Sequence, residues 1–149
     1  MSWENEKWVS IMGKWAWVVT LVCGLINLLW AIVSTVSAFS AYQASVALYG
    51  IGIVGAFSIN IGYVWNIISS IILIIFSIVI VKPRFSKKCA DNDWDYLLND
   101  VLPLGSIRFP MIFVWAIIAE ILLYWSGILI IIPAIMIIFF GPEEYQWKK

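Results

Sequence analysis

The chain has no histidine and only two cysteines, and from Trp15 to Val81 it contains not one Asp, Glu, Lys or Arg. Each gap excludes something. Without histidine there is no imidazole base, no haem ligand of that type and no histidine-containing zinc site. Cys23 lies in an apolar run and Cys89 in a polar segment, so they make a poor disulfide pair and offer no zinc-type spacing. No Walker loop, dinucleotide fingerprint or nucleophile–base pair can be picked out, so an enzyme is not expected, and neither a cofactor nor a metal is implied. Nine basic residues balance nine acidic ones, which gives no electrostatic reason to expect a nucleic-acid partner.

What the sequence has in excess is apolar surface. Of its 149 residues, 63% are hydrophobic and 12% charged, and the mean hydropathy is +0.97. A soluble globule of this size leaves much of its area wet and cannot hide so many apolar side chains. A lipid bilayer is the expected solvent, the plasma membrane the expected location, and lipid itself the first expected partner. Lys7 and Lys14 precede the apolar run, and Val36-Ser37-Ala38 suggests a signal-peptidase site. The run from Trp15 is still continuous at Ala38, too long for a signal core of about 7–15 residues, so an uncleaved first crossing is expected.

The expected fold is an all-α integral membrane protein with four transmembrane helices arranged as two helical hairpins. Residues 1–14 form an interfacial segment, with Trp8, Ile11, Met12 and Trp15 at helical spacing. Crossings are expected at 15–38 and 58–81, joined by an uncharged outer loop, 39–57, in which Gly50, Gly52 and Gly55 act as breakers. Pro83 is expected to end the second helix. Lys82, Arg84, Lys87, Lys88 and Arg108 assign the loop 82–108 to the cytoplasm, and Asp91–Asp100 within it suits a short amphipathic helix with Trp94, Leu97 and Leu98 on one side. The last apolar stretch, 109–140, reads in two ways. One kinked helix would extend about 48 Å against a hydrocarbon core of roughly 30 Å, giving three helices in all. A hairpin turning at Ser126-Gly127 would have arms of about 20–26 Å, 109–125 and 128–140, with Tyr124 and Trp125 at the far interface. The hairpin returns the tail, 141–149, to the cytoplasm with the other basic residues, and puts both termini there.

Polar residues inside the apolar runs mark the candidate site. Thr20, Asn27 and Ser34 recur every seven residues in the first helix, with Gly24, Ala31 and Ala38 on the same face; Gly62, Asn66, Ser69, Ser70 and Ser77 share a face of the second. Small and polar stripes of this kind form the seams between membrane helices. Counted from the nearest charges, Asn27, Ser70 and Glu120 lie at a similar depth of roughly 18–20 Å, and Pro133 is a little shallower. Glu120, the one charged residue between Phe109 and Phe140, is expected to turn into the bundle toward Asn27 or Ser70. The carbonyl of Leu129, which Pro133 deprives of its helix donor, is another candidate partner. Glu120, Asn27, Ser70, Asn66 and Pro133 thus form a candidate intramembrane polar cluster.

The local string Ala-Ile-Ile-Ala-Glu-Ile at 116–121 resembles the first helix of small multidrug-resistance transporters, where an Ala-Ile-x-x-Glu pattern carries the coupling glutamate. The likeness covers six residues and falls in the third apolar segment; it implies a proton- or cation-coupling role for Glu120. Asp91-Asn92-Asp93-Trp94-Asp95 opens like a calcium loop but has Tyr96 where glycine is needed and Leu102 where a bidentate glutamate is needed. Lys82, Arg84, Lys87 and Lys88 are candidate lipid-headgroup contacts. Cys89 is close enough to that surface to be a candidate for palmitoylation. Two function classes are open: a structural or accessory subunit, as homo-oligomer or within a larger membrane complex, and a small oligomeric carrier or channel using Glu120. A membrane-shaping hairpin protein is a third reading, resting on the awkward length of 109–140.

Overall fold

The structure, a computed structural model, describes Glu4, residues 6–49, residues 61–141 and residues 143–147. It is mostly helical. Helix α1 runs unbroken over 44 residues, Glu6–Tyr49, which at 1.5 Å per residue is about 66 Å. Residues 6–14 of the interfacial segment, the first expected crossing and the start of the expected outer loop are therefore one helix. No charge, proline or glycine pair interrupts the run between Trp15 and Tyr49, so nothing in the chain stops the helix at Ala38. The glycines proposed as breakers, Gly50, Gly52 and Gly55, lie outside the described residues.

Helix α2, Ile61–Phe76, packs antiparallel along α1. It does not end at Pro83. The backbone continues through a segment of wide, π-type turns, Ser77–Ser86, into a short helix α3, Lys87–Ala90. In an α-helix the Pro83 ring would press on the carbonyl of Val79; widening the turn to i→i+5 spacing opens room for the ring without breaking the rod. Gly62–Ala90 is thus one rod, and it and α1 are the two helices long and apolar enough to cross a membrane.

Beyond Ala90 the chain doubles back beneath this pair. Asp93 caps α4, Trp94–Asn99, by accepting the Tyr96 N–H at 3.3 Å, and α4 buries Trp94, Leu97 and Leu98. A two-stranded antiparallel hairpin follows, β1 Val101–Leu104 and β2 Ile107–Pro110, with Leu104 paired to Ile107. Its two-residue loop begins with Gly105 at φ +64°, the position a type II′ turn reserves for glycine. Helix α5, Met111–Leu122, then rises, the chain turns over Leu123–Gly127, and α6, Ile128–Phe140, descends. The arms have 12 and 13 residues, about 18 and 20 Å. Residues 109–110 belong to β2 and residues 123–125 to the turn, so α5 is shorter than the expected 109–125.

The core lies where the short hairpin meets the lower half of the long pair. Val9, Gly13, Ala16 and Thr20 form one fully buried stripe of α1. They face α6 and the π segment, with Phe85, Cys89, Ile130, Ala134 and Ile137 buried around them. A Cβ on Gly13 would collide with the Cys89 side chain, so glycine sets the helix spacing there. Above Thr20 the pair is clothed largely in exposed apolar residues. Trp30 is 71% exposed, whereas Trp115 is buried between Phe76 and Arg84.

Candidate functional site

The expected polar cluster divides into two places. The first is the α1–α2 seam. Asn27 donates through Nδ2 to Ser70 Oγ at 2.7 Å, and Ser70 donates in turn to the Asn66 carbonyl at 2.5 Å, one helical turn back. Gly24 lets the helices approach here: a Cβ would stand 3.0 Å from Ile74 Cγ1. About two turns lower, Ser77 Oγ donates to the Trp17 carbonyl at 2.6 Å. Every group in this zipper is neutral, and the zipper holds two helices in register.

Glu120 is not part of it. Its carboxylate closes the α5–α6 turn, where Oε2 accepts the Trp125 N–H at 2.9 Å and Oε1 accepts the Gly127 N–H at 3.1 Å. These are backbone donors that the start of α6 leaves without a helical partner, so Glu120 acts as a cap donated from the preceding helix. The turn is tight. Trp125 holds φ +72°, a region that bulky residues rarely occupy. Gly127 packs so closely that a Cβ would stand 2.6 Å from the Ala116 carbonyl oxygen and 3.1 Å from Glu120 Cγ. Ser126 completes the closure by donating Oγ–H to the Ala119 carbonyl at 2.6 Å. The Thr20 hydroxyl, donated to the Ala16 carbonyl at 2.8 Å, also lies 3.2 Å from the Ser126 carbonyl. The tip of the short hairpin is thereby fixed at the level of Thr20 on α1.

That level explains why the expected approach of Glu120 to Asn27 and Ser70 does not occur. Counting depth from Arg108 takes that residue as level with Lys14, but the turn that Glu120 closes meets α1 at Thr20, only six residues beyond Lys14. Asn27 is seven residues beyond Thr20, about 10 Å above the turn. Pro133 is buried inside α6 against the core, and Glu120 has taken the turn amides rather than the Leu129 carbonyl.

The basic run is also divided. Lys88 Nζ pairs with Asp93 at 2.6 Å, the one ion pair among the described residues, and lies 4.2 Å from the Tyr96 ring centre. Arg84 stacks 5.7 Å from the Trp115 ring centre. Lys82 and Lys87 instead line a cleft of about 400 Å³ between α1 and the π segment, where Lys14 and Trp17 of α1 join them. Reading the sequence by runs missed Lys14 and Trp17 as members of this group. The signal was present: Lys14 and Lys82 bracket the charge-free stretch, and an antiparallel pair brings its two ends level.

Two further expectations change with the geometry. Cys89 is fully buried against Gly13, with its carbonyl accepting the Ser10 hydroxyl at 2.7 Å, so acylation would require that packing to open. Asp93 spends its two oxygens on the Tyr96 amide and Lys88. Among the described residues no group of three or more acidic or cysteine side chains is assembled that could hold a metal. Comparison with protein-family models, with curated proteins and with solved structures finds no match to this chain.

Proposed function

We propose that the chain is an integral membrane protein of structural or accessory type, non-catalytic, acting through helix–helix contacts with copies of itself or within a larger membrane complex. Its support begins with α1 and the Gly62–Ala90 rod. Only 22% and 33% of their most apolar windows are buried within the chain, the reverse of the core helix of a soluble protein. Side chains such as Leu29, Trp30, Val36 and Val79 face outward, and hydrocarbon or other membrane helices are the surroundings that suit them. The positive-inside rule favours the end bearing Lys82, Arg84, Lys87 and Lys88 as the cytoplasmic one.

In this reading α1 and the second rod cross fully, while the α5–α6 hairpin enters from the cytoplasmic side and leaves by the same side. The four-crossing arrangement fits the distances less well. The hairpin tip lies at Thr20, about 9 Å along α1 from Lys14, and α1 continues about 43 Å beyond it. A turn inside hydrocarbon must satisfy its own polar groups, and this one meets much of that requirement through Glu120, Ser126 and Thr20.

The single observation that carries the structural reading over a carrier is the use of both Glu120 oxygens by turn amides. A coupling carboxyl has to exchange partners during transport, and this one is committed to the fold. Proteoliposomes carrying a pH gradient provide the test. A structural Glu120 gives no protein-dependent proton flux, and Glu120→Gln lowers thermal stability. A carrier gives flux that Glu120→Gln abolishes while stability is unchanged.

A second reading, membrane shaping, is favoured by one specific feature. A hairpin of two short apolar arms seated beside the cytoplasmic half of two long helices widens the protein in one leaflet only. Reconstitution into vesicles of graded diameter would reveal it as a preference for the smaller ones.

A further inference from the structure

We propose that the cleft between α1 and the π segment is a binding site for the headgroup of an anionic phospholipid. This proposal rests on the membrane reading above and deepens it. Three lysines, Lys14, Lys82 and Lys87, line the cleft together with Trp17, Ile78 and Ser86, and no acidic side chain among the described residues lines it. The wide turns create this grouping. In an α-helix, residues five apart diverge by about 140°, whereas i→i+5 geometry stacks them, so Lys82 and Lys87 fall on one face.

The remaining basic residues sharpen the choice. Within the run 82–88, Lys88 is engaged by Asp93 and Arg84 by the Trp115 ring, which leaves Lys82 and Lys87 to converge with Lys14 on a cleft lined by no acidic side chain among the described residues. Lys82 retains a cation–π contact to Trp17 at 4.5 Å, which orients its ammonium group at the rim. The cleft also has an axis. Ile78 lies one turn toward the charge-free rod and is half exposed, whereas Lys87 lies one turn away from it. An amphiphile therefore finds apolar wall on the bilayer side and ammonium groups on the aqueous side. At about 400 Å³ the cleft has room for a phosphodiester headgroup. Its position at the two ends of the charge-free run, Lys14 and Lys82, is where a leaflet's phosphates would lie. Charge complementarity and this two-ended polarity select a phospholipid over a soluble anion.

Native mass spectrometry of the full chain in a neutral detergent tests this. Dimyristoylphosphatidylglycerol, dimyristoylphosphatidylcholine and inorganic phosphate are titrated separately. The phosphatidylglycerol is expected to occupy one site in clear preference to the phosphatidylcholine. Affinity should fall about fivefold with Lys82→Gln and again with Lys87→Gln. Lys82→Arg should retain binding, and Lys88→Gln, whose amine is already paired, should leave it unchanged. Equal binding of the two lipids, or an equal loss with Lys88→Gln, overturns the proposal. Inorganic phosphate binding as tightly as the lipid, or displacing it at equal concentration, also overturns it by making the ligand a free anion. A chain that stays dispersed without detergent and takes up neither lipid overturns the membrane reading itself, a distinguishable failure.

Discussion

Glu120 Oε1 and the backbone nitrogen of Gly127 stand 3.1 Å apart, joining the last turn of α5 to the residue that caps the start of α6. With the matching bond from Trp125, the carboxylate is an acceptor at both oxygens, and that determines which replacements it tolerates. Glutamine, nearly isosteric, keeps one acceptor and directs an NH2 at the other amide. Glu120→Gln is therefore expected to lose about 1–3 kcal/mol of stability, read as a lower midpoint of thermal unfolding in detergent. An unchanged midpoint would contradict the capping role.

Gly127 provides an independent check on the same turn. A methyl group there meets the Ala116 carbonyl oxygen at 2.6 Å, and that oxygen belongs to helix backbone that cannot swing aside. Gly127→Ala should cost about 1–3 kcal/mol through overpacking and should loosen the hairpin without affecting the α1–α2 seam. Proteolysis within residues 123–127 should accelerate. Wild-type resistance in this variant would mean that the turn is not packed as described.

How legible this was in the sequence depends on the local character of each signal. The register of the long pair could be read, because Asn27 and Ser70 lie almost equal distances from Lys14 and Lys82 along continuous helix, and counting residues is counting height. The turn near Ser126-Gly127 was visible from its residues. Counting height from Arg108 misplaces Glu120 because Arg108 is not level with Lys14: the turn that Glu120 closes meets α1 at Thr20, six residues from Lys14. The β1–β2 hairpin has a local signal, Gly105-Ser106 between apolar neighbours, that reading the loop 82–108 only for charge and one amphipathic helix misses; prolines at 103 and 110 weaken that signal. Pro83 reads as a stop since its usual effect is to end an α-helix, and the wide turns that accommodate it lie in a segment packed through buried Val81 and Phe85, which no local signal announces.

Asp93 gives the account its pH dependence. The hydrogen bond from Lys88 holds its carboxyl below the ordinary aspartate value; desolvation opposes it, and the Tyr96 amide and the Lys88 charge add smaller lowering effects. A depressed folded-state value means that the stabilisation is fully present above the ordinary aspartate range and is lost as pH falls through the folded value. Exchange of the Tyr96 amide should therefore speed up, relative to its intrinsic rate, on acidification below that range. Asp93→Asn, which keeps a cap but no ion pair, should flatten the response. A response of equal size in the variant would assign it to another group.

The most direct test of the central claim, a hairpin closed by Glu120 that stops partway into the membrane, is the depth of its tip. A nitroxide at Trp125→Cys, in a background lacking Cys23, is read in reconstituted bilayers by collision with oxygen and with a water-soluble nickel complex. The account predicts oxygen-rich, nickel-poor surroundings on the cytoplasmic side of the midplane. A label freely accessible to nickel from the outer face would mean that the hairpin crosses completely, and the account would be wrong.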